Sequence, residues 1–337
     1  MHGGDRLALL STELPTPLAE ACLLARAGQT RKALAALDAV RAAEVLEPAS
    51  AEMTLLLAEA VDCRLARGDL GEAMELADTI AAQLDREDRP DPAAALAHHA
   101  LGGVAAALQE TERSLHHFGL AGRLLARTGS DTGLVAWRVG AALASVRLGR
   151  RPEAARLARE QLELVTPDGS PYALALALRT LAATCAGAES VALLRRARAT
   201  LAGLPTGWLA VQIDADLAGL LVLTGGSAAV GEALTLLRAA EEYAGREELW
   251  PLHGRVRRLL DRLGAVHRPM HAEAVASLTG TERRVARLAA DGLTNREISA
   301  RLDVGVKAVE WHLSHVYRKL GIPSRTRLPA ALGLAPV

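Results

Sequence analysis

A chain of 337 residues is long enough for two or more domains, and one that is 50% apolar with 39 basic and 39 acidic residues is not a disordered polyelectrolyte tail. Aromatics make up only 2% of it. Ala, Leu and Arg dominate, and Val, Ile and Thr are too few for many strands, so composition excludes a sheet-rich protein and predicts an all-α one. The zero net charge hides an asymmetry. Residues 277–337 carry ten Lys/Arg against five Asp/Glu, a net of +5, which leaves −5 on the first 276. A basic C-terminal module on a mildly acidic body fits nucleic-acid contact at that end.

No segment approaches eighteen consecutive apolar residues, and the start, MHGGDRLALLSTELP, lacks a basic n-region and a full h-region. No signal peptide and no membrane span are expected, which places the protein in the cytoplasm. Cys22, Cys63 and Cys185 are far apart and each sits in an apolar helical run, so buried, reduced thiols are expected rather than a metal site.

Taken in order, the first 265 residues repeat. A Gly is followed five residues later by an Ala near the start of a helix: Gly28 and Ala33, Gly68 and Ala73, Gly149 and Ala154, Gly187 and Ala192. The spacings are 40, 81 and 38 residues, and a degraded copy, LQETERSLHHF, falls in the middle of the long one. A sixth copy, LTGGSAAVGEAL, has two extra residues before Ala233. Breaks at Glu47-Pro48, 89–92, Thr128-Gly129, 166–169 and 204–207 fall out of phase with these glycines. The two sets define helical hairpins, with a helix A over about 49–66, a left-handed turn at Gly68, and a helix B over about 71–85. One hairpin cannot bury its apolar face alone, so a fixed period of this size predicts a solenoid of stacked pairs. The motif resembles the tetratricopeptide repeat, with a longer period. It is similar to the helical-hairpin superhelix in the C-terminal part of large LuxR-type activators related to the maltose regulon activator.

Trp137 and Trp208 fall in A helices and Trp250 in a final helix, either filling gaps between hairpins or lining a concave face for a ligand or peptide. His98-His99 and His116-His117 are neighbours about 100° apart on a helix, so neither pair converges on one metal. No Gly-x-x-x-x-Gly-Lys-Ser/Thr occurs, and Gly102-Gly103 and Gly225-Gly226 lack the lysine that reaches a phosphate. The large activators carry a nucleotide-binding module ahead of the superhelix. These residues hold none, which leaves open a shorter relative or a piece of a longer chain. No Ser/His/Asp, Cys/His or paired-carboxylate arrangement stands out, so neither an enzyme nor a cofactor is expected.

Residues 264–276, GAVHRPMHAEAVA, read as a linker between an array over 1–263 and a head over 277–337. In the head, Thr279 with Glu282 forms a capping box that starts a helix at about Gly280, with Val285, Leu288 and Ala289 as its apolar stripe. Gly292 ends it. Thr294 with Glu297 is a second capping box, for a helix over Asn295–Leu302. After the turn Asp303-Val304-Gly305 a third helix, Val306–Leu320, carries its core stripe on Val309, Leu313, Val316 and Leu320. Gly321 stops it and Ser324 is placed to cap a fourth.

This run is similar to the LuxR-type (GerE-type) helix-turn-helix family at Leu278, Thr279, Glu282, Gly292, Thr294, Asn295, Glu297, Ile298, Leu302, Val309, His312, Leu313, Lys319, Leu320, Ser324 and Arg325. The resemblance implies a four-helix head whose third helix enters the major groove of double-stranded DNA and whose fourth often forms a homodimer contact. It also brings RNA polymerase into view as a partner. The family's base-reading positions fall on Glu310, Trp311 and Ser314. Glu310 is suited to accept from cytosine N4, Trp311 to pack on a thymine methyl, and Ser314 to pair with several bases. Thr294, Asn295, Lys307, Arg318, Lys319 and Arg325 are expected at phosphates. Three residues depart from the family: Gly305 where Ser is usual, Ala308 where Thr is usual, and Pro329 inside the fourth helix, which is expected to be short or kinked. The reading is a DNA-binding transcriptional regulator whose array receives a protein, peptide or small-molecule signal. A protein-interaction scaffold with a degenerate head is the alternative.

Overall fold

The structure is a computed structural model, and it describes residues 15–48, 50–84, 92–129, 131, 135–165, 170–204, 207–224, 226–265, 278–302 and 304–332. Among these residues the secondary structure is helical throughout, with no strand, as composition predicts. No helix among them is long and apolar enough to cross a membrane. The chain forms two compact units, Met1–Leu249 and Trp250–Val337. Most of the segment read as a linker, and several of the out-of-phase breaks (85–91, 166–169, 205–206), lie outside the described residues.

Among the described residues the first unit shows six hairpins: α1 (Thr16–Arg26) with α2 (Thr30–Ala42), α3 (Ala51–Arg67) with α4 (Leu70–Leu84), α5 (Pro92–Ala107) with α6 (Thr111–Thr128), α7 (Trp137–Arg147) with α8 (Arg151–Leu164), α9 (Pro171–Thr184) with α10 (Gly187–Thr200), and α11 (Gly207–Thr224) with α12 (Ser227–Arg246). The odd-numbered helices pack in succession against one another, and α2, α4, α6, α8 and α10 each lie in the seam between their own partner and the next odd-numbered helix. The turn glycines do what their spacing predicts: Gly28, Gly68 and Gly149 take φ of 76°, 81° and 75°. The degraded copy keeps the same conformation without glycine, since Gln109 sits at φ 64°. A left-handed non-glycine residue costs about 1–2 kcal/mol, and glycine gives back about 0.5–1 through its unfolded-state freedom. Gln109→Gly is therefore expected to raise stability by about 1 kcal/mol. A denaturant titration that shows no gain would mean the turn is relaxed in solution.

Five residues after the turn, Ala33, Ala73 and Ala154 are fully buried, which lets helix B lie close on helix A. Ser114 and Ser190 take this seat in two other hairpins, and their hydroxyls donate to Gly102 O and Ala182 O at 2.9 and 2.8 Å. The pairing of Gly187 with Ala192 is thus out of register: Ala192 is exposed and Ser190 occupies the buried seat. Gly102 has a packing reason rather than a phosphate one, because an added Cβ there would lie 2.8 Å from the Phe118 ring. Trp137 packs into the cores on either side of it, close over Gly122, and so fills a gap between hairpins.

Cys22 and Cys63 are buried, and burial, ahead of Glu59 and Asp62, pushes the Cys63 thiol well above its ordinary value. Cys185 is only half-buried, because it lies at the C-terminal cap of α9 rather than inside the helix. His116 and His117 meet edge-on with ring centroids 5.8 Å apart, and His98 meets His117 across the α5–α6 hairpin, Nδ1 to Nδ1 at 3.1 Å. Burial, followed by the neighbouring His98, holds His117 down at about 4.

The array also closes on itself, which a local reading of the repeats does not foretell. The Tyr243 hydroxyl of α12 donates to Gly28 O in the first turn at 2.6 Å, across 215 residues of sequence. Arg67 pairs with Glu248 at 2.6 Å, and Arg31 approaches the same carboxylate at 3.6 Å. Gly28 sits so close to this seam that an added Cβ would collide with the Tyr243 hydroxyl and lie 2.6 Å from the Trp208 backbone nitrogen.

Candidate nucleic-acid interface

The second unit contains α13 (Trp250–Arg262), α14 (Gly280–Ala290), α15 (Asn295–Leu302), α16 (Val306–Leu320), a 3-10 turn at Arg325–Arg327 and the four-residue α17 (Leu328–Ala331). Local sequence accounts for several boundaries of the head. The Thr279 hydroxyl accepts from Glu282 N, and the Glu282 carboxylate accepts from Thr279 N at 2.7 Å, completing the capping box of α14. Thr294 and Glu297 form the same reciprocal pair at the start of α15. Gly321 ends α16 in a left-handed cap at φ 63°. Gly305 gives α16 an N-cap without a side-chain hydrogen bond. The fourth helix is short, as Pro329 predicts.

Val285, Ala289, Ile298, Val309, Leu313, Val316 and Leu320 all lie in one buried core with Leu278, Ala286, Leu328 and Ala331. This core turns one stripe of α16 inward. The opposite stripe therefore faces out: Lys307, Glu310, Trp311 and Ser314 are exposed, Trp311 at 58%. The side chains of Lys307, Glu310 and Ser314 make no hydrogen bond or ion pair among the described residues. Trp311 stacks on His315 with ring centroids 4.0 Å apart.

The other expected phosphate contacts are engaged within the head. Lys319 pairs with Glu282 at 2.7 Å, joining the C-terminal turn of α16 to the cap of α14. Burial pushes the Glu282 carboxyl up, but hydrogen bonds from Lys319 and Thr279 outweigh it and hold the group below its ordinary value. The Arg325 guanidinium donates to Asn295 Oδ1 at 3.1 Å, to Ala289 O at 3.0 Å and to Leu293 O, so it staples the α14–α15 turn. The Thr294 amide and hydroxyl both donate to Glu297. Arg318 Nη2 approaches His315 Nδ1 at 3.2 Å. Sequence reasoning missed these structural uses because the partners of Lys319 and Arg325 lie 30 or more residues away.

Comparison with known proteins picks out the same part of the chain. Residues 276–330 match the family described as bacterial regulatory proteins, luxR family. Over 65 residues the chain is 49% identical to "Putative HTH-type transcriptional regulator Rv0890c" of Mycobacterium tuberculosis and 48% identical to "Putative HTH-type transcriptional regulator Mb0914c" of Mycobacterium bovis. Each alignment covers 19% of this chain and only 7% of the relative. A solved structure, BtubC (BKLC) from P. vanneervenii, aligns over 72% of this chain and 92% of its own at 14% identity and a TM-score of 0.42. Residues 276–330 of this chain are a LuxR-type helix-turn-helix domain.

Proposed function

We propose that the chain is a DNA-binding transcriptional regulator, with a repeat array over 1–263 that receives a protein, peptide or small-molecule signal and a head over 277–337 that binds promoter DNA through α16. The observation that carries this reading is the outward stripe of α16: Lys307, Glu310, Trp311 and Ser314 stand exposed opposite a fully buried one. Helices that read DNA lie in the major groove with such a face, and dimers place two of them about one helical turn apart. Of the cations expected at phosphates, Lys307 is exposed, and Arg318 and the start of α15 at Thr294 and Asn295 are the further candidates. Lys319 and Arg325 support the reading indirectly, by holding the helices that present this face. A signal that changes oligomerisation of the array, or frees the head, would control when two heads reach a site.

The deciding experiment selects bound duplexes from a random pool with the whole chain and then titrates salt. Salt-sensitive binding is expected; its absence on every duplex would favour the interaction-scaffold reading, for which the uncapped start of α16 is the motivating feature. On the selected duplex, Lys307→Ala is expected to weaken all sequences alike and reduce the salt slope by about one, whereas Glu310→Ala is expected to change which sequence is preferred.

A further inference from the structure

Side chains on an α-helix lean toward its N-terminus, so each lies over the residue about one turn before it. Along one edge of α16 this arranges Trp311, His315 and Arg318 as a ladder. The His315 imidazole lies against the Trp311 indole, with centroids 4.0 Å apart and planes 35° apart. His312 adds an edge-on contact to the same indole, at 5.0 Å and 77°. Arg318 Nη2 is 3.2 Å from His315 Nδ1. A guanidinium has donors only, so Nδ1 is the accepting, unprotonated nitrogen of that ring. Trp311 is nevertheless 58% exposed. An exposed indole with no neighbours would sample several rotamers and lose that freedom on binding. Here two imidazoles hold it and a guanidinium holds one of the imidazoles.

We infer that His315 is a positioning residue for base readout: it fixes the Trp311 indole so that the ring's apolar edge meets the 5-methyl group of a pyrimidine in the major groove. The inference rests on the DNA-binding reading above. An apolar side chain reads a base edge through the thymine methyl, the one apolar group that the major groove displays. Contact with a single methyl rewards a ring held in one place, because a small misplacement forfeits most of the dispersion contact. Glu310 and Ser314, the neighbours on this face, are polar and offer no substitute surface.

The test uses the whole chain and the duplex it selects, with each thymine replaced in turn by deoxyuridine, which lacks only the methyl. Replacing the contacted thymine in one half-site is expected to weaken binding about fourfold, the effect of one buried methyl. Trp311→Ala is expected to abolish that difference. His315→Ala is expected to reduce it below about twofold while leaving the salt slope unchanged, which a merely structural role would not do. His315→Phe keeps a ring to stack on and should restore the discrimination; His315→Gln keeps an acceptor for Arg318 but no ring and should not. Wild-type protein that binds its duplex yet ignores every methyl, or His315→Ala that keeps the full fourfold difference, overturns the inference. Failure of the wild type to bind any duplex overturns the DNA-binding reading instead. Should His315→Ala fail to fold, the Phe and Gln variants make the same comparison on their own.

Discussion

Gly28→Val is expected to destabilise the repeat array by about 3–5 kcal/mol, and Gly149→Val by about 1–2 kcal/mol. The two glycines have the same backbone conformation, with φ of 76° and 75°. A β-branched residue therefore meets the same left-handed penalty at both. They differ only in surroundings. Gly149 faces open space, whereas a Cβ at Gly28 would collide with the Tyr243 hydroxyl and crowd the Trp208 backbone, which cannot yield as a flexible side chain does. The excess cost at Gly28 thus measures closure of the array. Chemical denaturation of both variants reads it directly; equal losses would mean that the first and sixth hairpins do not meet in solution. Tyr243→Phe provides a gentler check, since it removes the hydroxyl that donates to Gly28 O and leaves the ring.

Glu282→Ala is the second large effect, expected to cost the head about 3 kcal/mol. Two losses combine. The Thr279 amide loses its acceptor, worth about 1 kcal/mol at a helix start. Lys319, whose side chain is 28% exposed, loses the carboxylate that neutralises it. Replacing both partners should cost less than the sum, so Glu282→Gln with Lys319→Met is expected to be milder than the two single changes added together. A pH series adds an independent sign. The Glu282 carboxyl is held below its ordinary value of 4.5 in the folded head. Its contribution is therefore full above that value and is lost as pH falls through the lower folded value. Wild-type head should lose stability in that acid range, and Glu282→Ala should lack that part of the dependence.

The parts of this fold that were legible in the sequence are those whose causes are local. Thr279 with Glu282, Thr294 with Glu297, and Gly321 each satisfy backbone groups within one turn, so the head's helices begin and end where those residues stand. The buried stripe of α16 follows from helical period alone, and with it the exposed face of Lys307, Glu310, Trp311 and Ser314. The repeat was legible from its glycines, but less so where context overrode them. Gln109 is forced into a glycine's conformation, and Ser190 fills an alanine's seat by finding a carbonyl on the neighbouring helix. What was not legible rests on distant partners. Lys319 and Arg325 look like surface charges until Glu282, Asn295 and the α14–α15 carbonyls are placed beside them. Tyr243 carries no mark in its neighbourhood that it will meet Gly28.

That meeting has a consequence for how such an array can vary. In an open solenoid each hairpin touches only its neighbours, so copies can be duplicated or deleted and the ends merely shift. Here the first turn is bonded to α12, and Arg67 reaches Glu248 just beyond that helix. One more or one fewer forty-residue unit would carry Tyr243 away from Gly28 and strand Glu248 from its arginines. A unit with one more or one fewer hairpin could not keep the Tyr243–Gly28 and Arg67–Glu248 contacts as they stand.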